Sequence, residues 1–161
     1  MGAPEPEWPD QRGSIVLSLA ECHRLLVAMA GGVGRLGLVI DGMPIVLPFS
    51  YALLDDEVLL RLGPGTTLDA VLREPPVAFE IDQVDHRPPS APEAWSVLVH
   101  GTAQVVRDPL VLEQAAASGL TPLVNQPGAV YVLVRTGVVS GRRFPVGALA
   151  RFSFSTGTQS T

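Results

Sequence analysis

Arg61 stands two residues before Gly63-Pro64-Gly65-Thr66-Thr67, and a short helical pattern of Leu68, Val71 and Leu72 follows that run. A glycine-rich turn leading into a helix exposes backbone N–H groups. The helix dipole adds partial positive charge at the same place, and two threonine hydroxyls stand beside it. A phosphate is the ligand such an arrangement suits, with Arg61 as the bidentate counter-charge. The same residues also make an ordinary turn with a threonine N-cap. All eleven basic side chains are Arg. Lysine Schiff-base chemistry and a lysine general base are therefore excluded.

The remaining chemical candidates are sparser. Gly32-Val33-Gly34-Arg35-Leu36-Gly37 has the form of the dinucleotide fingerprint. That fingerprint must follow a strand and open a helix, whereas here it follows a helix and opens a strand, so a helix stop and close packing explain it. His23, His86 and His100 lack metal-ligand spacing and read as surface or structural residues. Ser18, Ser50 and Ser96 lack a nucleophile-elbow context. Glu80, Asp82 and Asp85 fit a solvated strand face, and Trp95 suits either the core or an aromatic pocket. Arg142 and Arg143, adjacent on a strand, point to opposite faces, so at most one of them meets a given site. Cys22 is the only cysteine, sits on the apolar side of a predicted helix, and reads as a buried, inert thiol.

The elements that must position these residues are mostly strands. Ser18-Leu19-Ala20-Glu21 has the form of a capping box. Leu19, Cys22, Leu25, Leu26 and Met29 follow at helical spacing until Gly31-Gly32. Strands are predicted at Gly34–Ile40 and Pro44–Leu54 around an Asp41-Gly42 hairpin turn, and at Val58–Leu62 after Asp55-Asp56. Pro75-Pro76 stops the helical run, and alternation predicts strands over Val77–Asp82 and Trp95–Val106 with a Pro-rich loop, His86–Pro92, between them. Asp108 caps a helix to Leu120 with Pro109 in its first turn. Ala129–Arg135, Val138–Arg143 and Leu149–Phe154 complete a pattern of hairpin-connected strands that predicts a closed or partly closed antiparallel barrel.

At 161 residues the chain fits one domain, and 47% hydrophobic against 17% charged residues excludes a disordered segment. Residues 1–13 and 156–161, rich in Pro and in Ser, Thr and Gly respectively, are expected to be loose arms around a domain over 14–155. A net charge of −5 without a basic run argues against nucleic acid or an anionic membrane as partner. Apolar runs such as Ile45–Leu54 are too short to span a bilayer, and the first residues lack the basic-then-apolar order of a signal peptide. A soluble cytoplasmic protein is expected.

Taken in order, Gly34-Arg35-Leu36-Gly37, Pro44-Ile45-Val46-Leu47-Pro48-Phe49-Ser50-Tyr51, Arg61-Leu62-Gly63-Pro64-Gly65-Thr66-Thr67-Leu68, Val77-Ala78-Phe79-Glu80-Ile81-Asp82, Trp95-Ser96-Val97-Leu98-Val99-His100-Gly101 and Gly141-Arg142-Arg143 resemble the pyridoxamine 5'-phosphate oxidase-like FMN-binding split barrels, in the branch of nitroimidazole-reductase-like proteins. The resemblance spans about residues 15–145. It implies a mainly β, six-stranded antiparallel split barrel that forms a homodimer with an FMN in each of two interface grooves. It lays Val46, Leu47, Pro48, Phe49 and Ser50 along the flavin ring through their backbone. It sets Arg61, Leu62, Thr66 and Thr67 toward the phosphate, and Trp95 and Ser96 beside the ring, with Arg142 contributed across the dimer. Two positions depart from the family: Leu62 replaces a small hydroxyl residue and Thr67 replaces a phosphate-binding lysine. The implied activity is oxidoreduction of a small molecule. The alternative is a non-catalytic protein that binds flavin, deazaflavin or haem, or a member that has lost its cofactor.

Overall fold

Hairpin turns and period-two alternation generate one sheet. The computed structural model describes residues 14–85 and 93–145. Its elements are β1 (Ile15–Val16), α1 (Leu19–Ala28), β2 (Val33–Ile40), β3 (Met43–Ser50), β4 (Ala52–Leu54), β5 (Glu57–Leu62), α2 (Thr66–Val71), β6 (Pro76–Asp85), β7 (Glu93–Val105), α3 (Pro109–Ala117) and β8 (Val130–Pro145). The strands join antiparallel in the order β3-β2-β6-β7-β8-β5-β4, with β1 pairing the far end of β8. The sheet curls into a half-barrel, the split-barrel architecture. Six strands are long, as expected; the sheet counts eight because β1 and β4, of two and three residues, pair as well. The expected arms at 1–13 and 156–161, the loop His86–Pro92 and the strand Leu149–Phe154 lie outside the described residues.

The predicted single strand Pro44–Leu54 is broken at Tyr51, and the break closes the barrel. β3 and β4 are the two opposite edges of the sheet, with Tyr51 alone between them. Its backbone leaves the ladder: its N–H donates to Gly32 O and its carbonyl accepts from Gly31 N. The buried ring meets Phe79 edge-on at 5.1 Å between centroids, and the phenol donates to Leu26 O at 2.7 Å. Conversely, the two strands expected at Ala129–Arg135 and Val138–Arg143 are one. β8 runs through a bulge opposite His100 and Gly101, which takes up the irregularity at Gly137 that reads as a break in the sequence.

The helices seal the inner face and part of the outer one. Ser18 and Glu21 make the predicted capping box, with Glu21 N donating to Ser18 Oγ and Ser18 N to Glu21 Oε2. α1 buries Cys22 and Leu26 against the inner core of Leu36, Phe79, Val97 and Val132. It lies so close to the sheet that a Cβ at Gly141 would come within 2.6 Å of Cys22 Sγ. Asp108 caps α3 as predicted, accepting from Leu110 N and Val111 N. That helix stops at Ala117 rather than Leu120, because Gly119 turns to φ +73° and the Ser118 hydroxyl takes the Ala115 carbonyl. α3 and the turn after it cover Leu59 and Leu133 on the outer face with Ala115 and Leu120. Among the described residues no helix is long and apolar enough to cross a membrane.

Candidate functional site

Strand alternation decides what Arg61 faces. Along β5, Val58, Leu60 and Leu62 bury into the inner core, so Leu59 and Arg61 point outward. Arg61 is the cross-strand partner of Tyr131 on β8, and its guanidinium carbon lies 5.7 Å from the centre of that ring. Arg35, Arg135 and Arg143 are all engaged by carboxylates. Arg61 makes no ion pair or hydrogen bond among the described residues, and its Nε is buried without a partner. A stacked guanidinium whose donors have no partner among the described residues can accept an anion.

The turn after it favours the same ligand. Gly65 sits at φ +148°, ψ −176°, a region open essentially to glycine alone, and it is the N-cap of α2. The ordinary threonine cap is therefore not what forms: no side chain caps this helix, which leaves the leading N–H groups without an internal partner. Thr66 is exposed and Thr67 half-buried, while Leu68 anchors the helix in the core. The Gln126 side chain fills the space that a Cβ on Gly63 would take, so the loop before β8 lies against the turn. Tyr131 and Gln126 are neighbours of this site that sequence reasoning missed. Their proximity arises from register and loop folding across more than sixty positions, for which no local signal exists.

The other candidates separate by face. β3 is an edge strand, so among the described residues one side of its backbone has no neighbouring strand. Val46 and Pro48 are exposed, Leu47 and Phe49 half-buried, and Ser50 buried. β3 approaches β5 where the half-barrel closes, which brings this strand toward the Arg61 end of the sheet. Leu62 is 1% exposed and packs into the inner core, away from the Arg61 side chain. Trp95 likewise belongs to the core, while its neighbour Ser96 points outward between Asp82 and Arg142 in one cross-strand row. Arg142 is exposed and donates to Ser14 Oγ at 3.0 Å.

Glu80 and Asp82 are more than a solvated face. Both hold Arg35, the former at 3.0 Å and the latter in a shorter contact. Burial, then the neighbouring Asp82, pushes the Glu80 carboxyl above its ordinary range against the opposing pull of Arg35. Around this cluster the outer face carries exposed apolar side chains that no described residue covers: Val33, Val46, Leu98 and Val138 stand on it by register, and three of them are more than half exposed. His100 is exposed on the same face, and His23 pairs with Asp56 at 2.7 Å. Among the described residues no group of His, Cys, Asp and Glu is arranged to hold a metal ion.

Comparison with known proteins agrees with this architecture. The family described as Pyridoxamine 5'-phosphate oxidase matches residues 18–143. An FAD-binding protein of Mycobacterium smegmatis is 32% identical, with a TM-score of 0.65 over 80% of this chain and 98% of its own. An FAD-binding protein of Mesorhizobium loti is 26% identical, with a TM-score of 0.62 over 81% and 97%. An FAD- and haem-binding protein of M. smegmatis, at 18% identity and a TM-score of 0.60 over 85% and 79%, shares the fold. No curated protein matches the chain.

Proposed function

The chain belongs to the pyridoxamine 5'-phosphate oxidase family, and from that premise we propose that it is a flavoprotein oxidoreductase acting on a small molecule. Its cofactor is FMN or the larger FAD, which share the ring and the first phosphate. The observation that carries the reading is Arg61, stacked on Tyr131 with a buried, unpartnered Nε beside a turn whose helix has no side-chain cap. Arg61 and the N–H groups after Gly65 hold the phosphate, with the Thr66 and Thr67 hydroxyls beside them. The backbone edge of β3 from Val46 to Ser50 orients the ring, and Ser96 and Arg142, which lie toward the other end of β8 from Tyr131, reach it from a second copy of the chain. When bound, the flavin supplies the electron-transfer chemistry. The chain accordingly needs no strong acid or base of its own.

A second copy of the chain is the proposed cover for the apolar outer face. Val33, Val46 and Val138 stand exposed there among polar side chains, surface of the kind a partner covers, and a two-fold pair would cover the same patch on both chains. The cytoplasm, with its supply of reduced nicotinamide, is the proposed compartment. One feature favours a second reading, a protein that binds flavin, deazaflavin or haem without turnover, or has lost its cofactor. Thr67 offers a hydroxyl where a lysine would offer charge, so Arg61 is the one cation on the phosphate turn.

The test is the absorbance spectrum of the purified protein before and after excess FMN or FAD and desalting. A retained flavin band that weakens in Arg61→Ala supports the reading, and release by denaturation identifies which flavin is held. A colourless protein that retains neither flavin sinks it. Reduction of an artificial electron acceptor by the loaded protein with a reduced nicotinamide separates the enzyme from the non-catalytic binder.

A further inference from the structure

A groove of about 620 Å³ opens on the opposite side of the sheet from Arg61, between α1 and the β4–β5 hairpin. Leu19, Ala20 and Leu26 of α1 form one wall, and Val139 and Thr136 of β8 line the groove opposite them. The hairpin turn contributes Asp55, Asp56 and Glu57 at the rim. Its size falls in the range of small-molecule sites, and apolar walls with a few polar groups at one end are their usual construction.

The charge of the rim selects the occupant. His23 bridges α1 to the hairpin through Asp56 at 2.7 Å, and Glu57 is held by Arg135 at 2.6 Å. Asp55 makes no ion pair or hydrogen bond among the described residues. It is held at φ +48° in the turn. Among the described residues Asp55 is therefore the rim carboxylate left without a partner, because Asp56 is held by His23 and Glu57, on the outward side of β5, by Arg135. Anionic molecules, among them flavin nucleotides and haem with its propionates, meet repulsion here. A molecule with an apolar body and a protonated nitrogen meets complementarity.

We propose that this groove is a second binding site, separate from the flavin face, for a small amphiphilic amine whose apolar part lies on Leu19 and Val139 and whose ammonium group pairs with Asp55. The proposal does not rest on the flavin reading, because the two sites use opposite faces of the sheet.

Binding of phenethylamine, benzyl alcohol and 3-phenylpropanoate to the full chain, followed by saturation-transfer NMR at low salt, tests it. The amine binds about two- to fivefold more tightly than the alcohol, the scale of one exposed charge pair, and the acid binds more weakly than both. Asp55→Asn removes the preference for the amine and leaves the alcohol unchanged. Ala20→Trp, at an exposed helix position lining the groove, fills it and abolishes binding of amine and alcohol while the circular dichroism stays that of the parent. Equal binding of amine and acid overturns the proposal, as does binding that survives Ala20→Trp, the absence of amine binding at millimolar concentration, or displacement of the amine by FMN.

Discussion

Replacing Arg61 with methionine separates a ligand-binding role from a structural one. The substitution keeps an unbranched apolar stem against Tyr131 and removes every guanidinium donor. If those donors meet a phosphate, the loss is that of charge-assisted hydrogen bonds, about 1.5–3 kcal/mol, or roughly ten- to a hundredfold in Kd. The ligand-free protein responds differently. Among the described residues Arg61 has no carboxylate partner to orphan, so the main loss is its stacking on Tyr131, about 0.5–1 kcal/mol. Removing a buried Nε that lacks a hydrogen bond returns about 1 kcal/mol of desolvation cost. The two nearly cancel, and for a chain of this size the net shift in Tm stays within roughly 2–4 °C. Flavin titration by fluorescence quenching gives the Kd, and differential scanning fluorimetry of the flavin-free protein gives the Tm. A Kd within twofold of the parent would refute the phosphate role. So would a fall in ligand-free Tm of about 8 °C or more, because the guanidinium would then be a structural group.

Thr67→Lys places a second cation on the half-buried first turn of α2 and should tighten flavin binding about tenfold, by the same charge-assisted scale; an unchanged Kd would place the phosphate elsewhere. Burial holds the Tyr51 phenol far above its ordinary range, and burial followed by Glu21 raises the Cys22 thiol. The unfolded chain ionises these groups at roughly pH 10 and 8.5 while the folded chain keeps them protonated. Their stabilisation is therefore intact below about pH 8 and declines as the pH rises above that range. Tyr51→Phe, which also loses the bond to Leu26 O, should cost about 1 kcal/mol near neutrality and flatten the alkaline decline; parallel urea-denaturation losses for both proteins at pH 10 would contradict this. Val138→Asp, on the outer apolar face and 61% exposed, should shift light-scattering mass from dimer toward monomer with little change in far-ultraviolet dichroism, and a parent protein that is monomeric at high concentration would remove the two-fold pair.

What was legible in the sequence was local. The capping box at Ser18 and Glu21, the Asp108 cap and the Asp41-Gly42 turn, whose two residues both take positive φ, each need only neighbours a few positions apart. What was not legible depends on distant strands. Tyr51 reads as one more strand residue, yet it is where the chain passes from one sheet edge to the other. The stretch at Gly137 reads as a break, yet β8 continues through it because the bulge opposite His100 restores the register. The phosphate site divides in the same way: Arg61 and the glycine turn are visible in the sequence, but Tyr131 and Gln126 are brought to them by pairing and loop folding alone.

The same physics limits what a run of consecutive motif residues can mean. Arg61 and Leu62, and Trp95 and Ser96, are adjacent in the chain, and a strand sends adjacent side chains to opposite faces. One of each pair must enter the core: Leu62 and Trp95 do, at 1% and 9% exposure, leaving Arg61 and Ser96 outward. Leu62 therefore cannot weaken a phosphate site through its own side chain unless the strand slips by one residue, and such a slip would carry Leu60 out of the core with it. The departure that bears on the ligand is Thr67, half-buried on the turn that Arg61 leads into. Adding lysine at 67 and adding serine at 62 should accordingly have unequal effects. Thr67→Lys acts on flavin affinity, whereas Leu62→Ser, which empties a fully buried leucine site, costs about 2–5 kcal/mol of folding stability and leaves the affinity of the remaining folded protein unchanged. A Leu62→Ser protein that binds flavin more tightly at undiminished Tm would mean that residue 62 faces the ligand and that the register of β5 against β8 is wrong.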